Sequence, residues 1–514
     1  MGARPRPIPS STVSRTSAAQ NAVVELLRVS PVADDLAARF AAAGHRLYLV
    51  GGSVRDALLG RLHAGDLDFT TDARPQEIMR LVKPWGDAVW DTGIAFGTVG
   101  ASKGGAVCEI TTFRADAYDR VSRNPEVRFG DTVEADLVRR DFTVNAMAVD
   151  LTTRRFIDPH DGMGALEAGV LDTPATPQES FADDPLRMLR AARFASQLGL
   201  TPAPRVVEAM AAMSAEIERI TPERVQAELS KLLCGAHPRA GVELLVDTGL
   251  AAHVLPEVPA MRLEIDEHHQ HKDVYEHSLV VLEQAIDLEG GTGPDLVLRL
   301  AALLHDIGKP DTRKHVDGGG VSFHHHEVVG AKLVRKRLRA LRYAKDVVED
   351  VATLVFLHLR FHGYGKGEWT DSAVRRYVTD AGELLPRLHK LVRADCTTRN
   401  RRKAAALQRT YDGLEERIAR LAAEEDLARV RPDLDGNEIM RLLGLPPGPQ
   451  VGKAWRFLKE LRLDRGPMEH DEAVAALREW AAEQGLGDAA LAVDQGEAHD
   501  ADQVDPARGE DQPG

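Results

Sequence analysis

Asp66 and Asp68 stand one residue apart in Asp66-Leu-Asp-Phe-Thr-Thr71. On an extended chain that spacing turns both carboxylates to one face. Two hard oxygen donors so placed suit a divalent cation that keeps positions open for phosphate oxygens, which favours Mg2+. Upstream, Gly51-Gly52 lets the backbone approach a ligand at the start of a helix, where free N–H groups and the helix dipole attract phosphate. Arg55, one turn further on, adds charge. Each feature alone is weak, because a double glycine is ordinarily a turn and Asp-x-Asp ordinarily a solvated strand end. The informative part is their order.

The local pattern supplies elements to hold these residues. It predicts an amphipathic helix over 33–43, a buried strand over 46–50, a turn at Gly51-Gly52 and a helix over 53–59 capped by Ser53. Further strands are expected over 67–70, 98–101 and 107–113, with a helix over 75–82. After Asp172 the strand signals stop. From Asp184 into the 480s the pattern is helical, broken at Pro202, Pro222, 291–294, 318–320, 363–367 and 446–449. The fold class expected is α+β, a head with a mixed sheet and helices followed by a long all-helical remainder.

The chain has 514 residues, enough at roughly 150 per domain for three or four domains, which excludes a single small binding module. Apolar residues make up 43% and charged residues 28%, the balance of a soluble globular chain. No run approaches the ~20 apolar residues of a membrane span, and the start lacks a secretory signal, so a cytoplasmic location and no membrane partner are expected. An Arg- and Ser-rich, acid-poor start also fits a transit peptide, the lesser reading. Cys108, Cys234 and Cys396 are too scattered for a disulfide framework or a zinc site, and read as buried thiols. A net charge of −14 argues at first against a nucleic-acid partner. Half of that excess, however, sits beyond residue 487, in an end whose composition reads as disordered. Residues 1–30, rich in Pro, Ser and Arg, read as disordered too.

The run Leu49-Val-Gly-Gly-Ser-Val-Arg-Asp-Ala-Leu-Leu-Gly60, followed by Asp66-Leu-Asp-Phe-Thr-Thr71, closely resembles the opening motif of the tRNA nucleotidyltransferase and bacterial poly(A) polymerase superfamily, class II of the polymerase-β-like nucleotidyltransferases. That resemblance implies a polymerase-β-like head and nucleotidyl transfer, with Mg2+ held by Asp66 and Asp68. A third carboxylate is common in such sites, and Glu109 on the strand over 107–113 is the candidate, against its reading as a solvent-facing strand residue. Arg139-Arg-Asp-Phe-Thr-Val-Asn-Ala-Met-Ala148 resembles a second motif of the superfamily. It implies triphosphate contacts from Arg140, with Arg139 as a candidate second contact beside it, and a sugar contact from Asp141 or Asn145. The polar stretch 113–131 resembles the mobile loop of these enzymes.

A third block, Asp183-Asp-Pro-Leu-Arg-Met-Leu-Arg-Ala-Ala-Arg193-Phe, places Asp184, Arg187, Arg190 and Arg193 three apart, a slanted polar stripe along a helix. Cytosine and adenine share an amino donor beside an unprotonated ring nitrogen, which an Asp acceptor beside an Arg donor matches in one plane. Uracil and guanine offer a carbonyl there and are repelled. The resemblance assigns this recognition to Asp184 and Arg187, with Arg190 and Arg193 as nucleotide or phosphate contacts. Where the superfamily usually has a Glu-Asp pair this chain has Asp183-Asp184.

In the helical region His277, the adjacent His305-Asp306 and Asp395 occur in the order seen in the HD superfamily of metal-dependent phosphohydrolases. Burying a His-Asp pair between Leu303, Leu304 and Ile307 is costly unless a metal compensates. His326 and His358 resemble extra ligands of two-metal members, although any of His324, His325 and His326 could serve. Such ligands suit Mg2+, Mn2+, Ni2+, Co2+ or Fe2+. Residues 433–453 resemble a segment near the C-terminal end of many bacterial members and read as two helices around a Pro/Gly turn. The expected organisation is a disordered start at 1–30, a head at 31–170, a helical neck at 171–260, an HD domain at 261–400, a helical RNA-binding region at 401–485 and an acidic tail at 486–514. The resemblance implies addition of C, C and A to the tRNA 3′ end from CTP and ATP. A poly(A) polymerase, an enzyme adding only part of CCA, and a phosphohydrolase with a nucleotide-binding head are the alternatives.

Overall fold

The apolar run Leu47–Val50 is buried along its whole length and forms β1. In β2, Asp66–Thr71, burial alternates at the start, so Leu67 and Phe69 enter the core while Asp66 and Asp68 face outward. The computed structural model describes residues 31–61, 66–115, 128–263, 273–291, 293–316, 320–361, 369–398, 400–425 and 431–486. The start at 1–30, most of the loop expected over 113–131, the glycine run at 363–367 and the acidic end lie outside the described residues.

Five further strands complete the head sheet: β3 (Ala88–Trp90), β4 (Thr98–Lys103), β5 (Ala106–Thr112), β8 (Ala148–Asp150) and β9 (Phe156–Ile157). A separate ribbon is formed by β6 (Arg114–Ala115) and β7 (Arg128–Phe129). The sheet order is β3-β4-β5-β2-β1-β8-β9, with β2 and β5 parallel and the other pairs antiparallel. This is the mixed sheet expected from the pattern. The helices Val32–Ala42 and Pro75–Val82 contribute Phe40, Leu36, Ile78 and Val82 to its core.

Beyond the head the chain is helical, as the loss of strand periodicity requires. Pro177–Asp183, Pro204–Met213, Pro222–Leu233 and Pro238–Asp247 all begin on proline, whose missing N–H costs nothing in a first turn. Pro222 therefore starts a helix. Two short pairings depart from the strand-free expectation: Val170–Leu171 with Thr201–Pro202, and Lys314–Val316 with Gly320–Ser322. They are too brief to leave a period of two in the sequence.

The chain divides into two compact units, Met1–Val351 and Ala352–Gly514. The first carries the head, the helices above, and Val274–Asp287, Leu296–Leu304 and His326–Ala340. The second carries Asp371–Ala381, Leu385–Ala394, Arg401–Glu424, Gly436–Leu443, Pro449–Arg465 and His470–Glu483. Its last three helices share a core of Ile439, Leu443, Ala454, Leu458, Ala473 and Leu477. The Pro/Gly turn joins the first two of them as read from the sequence. Among the described residues no helix is long and apolar enough to cross a membrane. Of the three thiols only Cys108 is fully buried, and burial pushes it up to about 11.

Candidate active site and metal centre

The parallel register of β2 and β5 sets Asp68 beside Glu109, and paired residues project from the same face. Asp66, Asp68 and Glu109 are all exposed on that face. Desolvation raises the Asp68 carboxyl, Arg140 opposes this, and Asp66 reinforces it. Glu109 is raised by desolvation, then by Asp68 and Asp66. Asp68 and Glu109 resist ionising beside one another and Asp66, and a divalent cation relieves such a donor set.

The glycine turn is part of the same construction. Gly51 has φ +71°, and a Cβ there would lie 3.0 Å from Arg140 Nη1 and 3.6 Å from Asp68 Oδ2. A side chain would thus be strained and would crowd the arginine and the carboxylate together. Gly51, not Ser53, is the residue flanking the helix Gly52–Leu58. The Ser53 hydroxyl instead donates to the Asp66 carbonyl at 3.3 Å and accepts the Asp68 N–H at 3.4 Å, hooking the helix to the carboxylate strand.

Arg55 does not stand free over this cleft. It is 8% exposed. Its Nη1 donates to Asn145 Oδ1 at 2.6 Å, and its Nε and Nη2 donate to Asp56 at 2.9 Å. It brackets the helix to the 139–148 segment. Arg140 is half-buried, 3.2 Å from Asp136 Oδ2. Asp141 accepts the Phe142 N–H at 2.8 Å, Asn145 Nδ2 at 3.0 Å and Arg190 Nε at 2.8 Å. Burial alone would raise its carboxyl, but Arg190 and Asn145 hold it well below the usual range.

The helix Leu186–Leu198 begins two residues after Asp184, whose Oδ1 accepts the Leu186 N–H at 3.1 Å and whose Oδ2 meets Arg224 Nη2 at 2.8 Å. Each carboxylate oxygen has two lone pairs, so acceptor capacity remains. Arg187 donates to Ser180 Oγ at 2.8 Å and to the Arg139 carbonyl at 2.7 Å, which fixes its guanidinium against the head. The stripe does not stay polar to its end. Arg193 is buried, 3.1 Å from the buried Glu228, and stacks on Phe194 at 4.3 Å. Burial, and then Arg190, push the Arg193 guanidinium down to about 10, with Glu228 opposing. Arg190 joins both carboxylates, Asp141 and, at 3.9 Å, Glu228. Glu228 escaped the sequence reading, although an acid in the apolar stripe Val225, Leu229, Leu232 is itself a signal of a buried partner. Arg224 gives no such signal.

In the first unit a second donor set converges. Asp306, 2% exposed, lies at the end of the apolar helix Leu296–Leu304. Its carboxylate is 3.2 Å from His305 Nε2, 3.3 Å from His326 Nε2, 3.7 Å from His277 Nε2 and 2.8 Å from Lys309 Nζ. His277 and His305 approach each other at 3.2 Å through Nε2. His305 Nδ1 faces the Ala302 carbonyl at 2.9 Å and His326 Nδ1 faces the Phe323 carbonyl at 2.8 Å. A nitrogen against a carbonyl carries the hydrogen, which leaves each Nε2 turned inward toward Asp306, the orientation of metal-binding imidazoles. Burial would raise Asp306, but His305, Lys309 and His326 hold it well below the usual range. The donor set fits a divalent metal. Of the run His324 to His326, the last is the one drawn in. Arg299 steadies this helix: it clamps Glu289 at 2.7 Å and donates to the Leu233 and Gly235 carbonyls at the end of Pro222–Leu233. His358 and Asp395 belong to the second unit, where His358 Nδ1 meets the Val355 carbonyl at 2.6 Å and Asp395 closes the helix Leu385–Ala394.

Comparison with known proteins agrees with this division of chemistry. Residues 47–172 match the poly(A) polymerase head domain, 199–261 the probable RNA- and SrmB-binding site of polymerase A, and 274–400 the HD domain. Such head and HD domains generally use divalent metals. The A-adding tRNA nucleotidyltransferase of Deinococcus radiodurans is 34% identical over 446 residues, covering 85% of this chain and 95% of the relative. The CCA-adding enzyme of Lactiplantibacillus plantarum is 42% identical over 222 residues, 43% of this chain and 52% of its own. The fold is that of the Bacillus stearothermophilus CCA-adding enzyme solved with CTP, at a TM-score of 0.63 and 24% identity, covering 88% of this chain and 98% of that one. The chain belongs to the tRNA nucleotidyltransferase and bacterial poly(A) polymerase family of nucleotidyl-transferring enzymes.

Proposed function

We propose that this enzyme adds C, C and A to the 3′ end of tRNA from CTP and ATP, releasing pyrophosphate, in the cytoplasm. The observation that carries the reading is the row of Asp66, Asp68 and Glu109 on one sheet face, beside Gly51 and Arg140. Asp66 and Asp68 would hold Mg2+, with Glu109 as third ligand. When bound, the metal lowers the pKa of the RNA 3′-hydroxyl and neutralises charge on the phosphates. Arg140 and the N–H groups after Gly51 receive the triphosphate. Asp141, bonded to Arg190 and Asn145, holds the nucleotide-binding segment in shape, and Arg55 and Arg193 support it from beneath. Asp184 accepts the amino group shared by cytosine and adenine, while Arg187 donates to the neighbouring ring nitrogen. The head would occupy 31–170, the neck 171–260, the HD domain 261–400 and a further RNA-binding region 401–485.

The test offers purified enzyme a tRNA transcript lacking its last three nucleotides, with each labelled nucleotide alone and in combination. CCA followed by a halt is the expected product, and a long A tract would instead mark a poly(A) polymerase. A second reading, addition of the terminal A alone, is favoured by the nearly full-length match to an A-adding relative. It predicts that a transcript already ending in CC is extended with ATP while one lacking all three nucleotides takes no CTP. Asp184→Ala should raise misincorporation of UTP and GTP by roughly ten- to a hundredfold, the worth of one paired base contact. Unchanged selectivity would remove Asp184 from the reading pocket.

The HD donor set supports a second activity on the same chain, hydrolysis of phosphoesters such as a 2′,3′-cyclic phosphate on a damaged RNA end. His277, His305, Asp306 and His326, with His358 and Asp395, would hold Mg2+, Mn2+, Ni2+, Co2+ or Fe2+. His305→Ala should abolish hydrolysis of a cyclic phosphate and lower bound transition metal, measured by elemental analysis, while CCA addition continues. Loss of CCA addition together with hydrolysis would contradict separate sites.

A further inference from the structure

Trp90 lies on the catalytic face of the head sheet, in the same row as the carboxylates. The registers run Trp90 to Gly100, Gly100 to Glu109 and Glu109 to Asp68, across β3, β4, β5 and β2. Directly paired residues project from one face, so the indole shares the face of Glu109 and Asp68. It also leans toward them. A Cβ on Gly100 would overlap the indole at Nε1, Cε2 and Cζ2, so the ring lies down over the β4 backbone, and only glycine leaves it room. Trp90 is half-buried, and Gly100 beneath it is covered.

We propose that Trp90 is a stacking platform for the 3′-terminal base of the RNA acceptor, an inference that rests on the nucleotidyl-transfer reading of the carboxylate row. The two reactants must reach the carboxylates from different sides, because attacking and leaving oxygens are roughly in line. Gly51 and Arg140 crowd Asp68 from the β1 side, and Asp141 and Arg190 belong to the same cluster. The triphosphate is therefore received there, and the RNA end comes over β5 and β4. The indole covers β4, two strand spacings from Asp68, or ~10 Å. That is about the span of a nucleotide from its reacting hydroxyl to its base. Stacking on an indole is indifferent to base identity, as required of an enzyme whose acceptor ends in a different base at successive steps.

The experiment measures KM for a tRNA transcript lacking CCA, KM for CTP and kcat, in wild type, Trp90→Leu and Trp90→Phe. A matched transcript whose terminal nucleotide is abasic serves as the second substrate. In Trp90→Leu the KM for the ordinary transcript should rise about tenfold, the usual loss of one base stack, with KM for CTP unchanged. Trp90→Phe, which keeps a flat ring, should recover most of it. On the abasic transcript the wild type should itself show the raised KM, and the Leu substitution should add nothing further. A ring that merely shields the sheet would give an equal penalty on both transcripts, or a wild type indifferent to the abasic end, and either result overturns the inference. A wild type that extends no transcript overturns the functional reading and this inference together. Normal wild-type extension beside a Leu variant of unchanged KM overturns this inference alone.

Discussion

Asp68→Ala abolishes nucleotide addition, by about a thousandfold or more, and leaves the affinity for tRNA unchanged. Asp68 is the middle carboxylate of the row, with Asp66 two residues before it on the same strand and Glu109 opposite on β5. Removing it separates the two remaining donors and takes away the group that faces Arg140 across Gly51. Neither change touches the helical region from which most of the RNA surface would come. Incorporation of labelled CTP into a truncated transcript, set against filter binding of the same transcript, checks both halves. Asp68→Asn keeps the shape and loses the charge, and is expected to be nearly as inactive. Normal extension by either variant would mean that the chemistry lies elsewhere. Loss of binding together with rate would mean that the strand had simply failed to fold.

Glu228→Ala costs about 3–5 kcal/mol of stability, because it leaves the buried Arg193 charge without its partner. Arg193 is 7% exposed and Glu228 5% exposed, and they meet at 3.1 Å. The Arg193 guanidinium, though pushed down to about 10, is still protonated at neutral pH. The double variant Arg193→Leu with Glu228→Leu should be more stable than Glu228→Ala, since an apolar pair avoids the desolvation cost of both charges. Urea denaturation of the three proteins measures the difference. If Glu228→Ala unfolds at the wild-type midpoint, the pair is not the buried ion pair its geometry describes. Addition by the double variant at near wild-type rate would further show that Arg193 supports the pocket and does not touch the nucleotide.

Some of this arrangement was open to reading in the residues alone. The alternation in Asp66–Thr71 fixes which side chains face out, and period two needs no tertiary information. The helix Pro75–Val82 was equally legible, with proline at its start and Ile78, Leu81 and Val82 on one side. What escaped depends on the third dimension. Ser53 reads as a cap by type, but Gly51 takes the flanking position and frees the hydroxyl for the neighbouring strand. Arg55 reads as an available charge, and only the packing of Asn145 and Asp56 around it shows that it is engaged. Arg193 continues a three-residue spacing that looks solvated, yet three residues per step falls short of a full turn, so the stripe winds from the cleft into the core. His326 could not be told from His324 and His325 until the Phe323 carbonyl and Asp306 were seen to hold its ring.

The Arg187 bond to the Arg139 carbonyl and the Arg190 bond to Asp141 have a consequence for how this enzyme could be recombined with its relatives. The helix Leu186–Leu198 is anchored on a backbone oxygen and a carboxylate that belong to the neighbouring segment. A chimera taking residues 139–145 from one parent and that helix from another would inherit two halves of a joint cut to different patterns. A crossover placed between them should misalign base selection even where both parents select the same bases, whereas an exchange that carries 139–198 as one block should not.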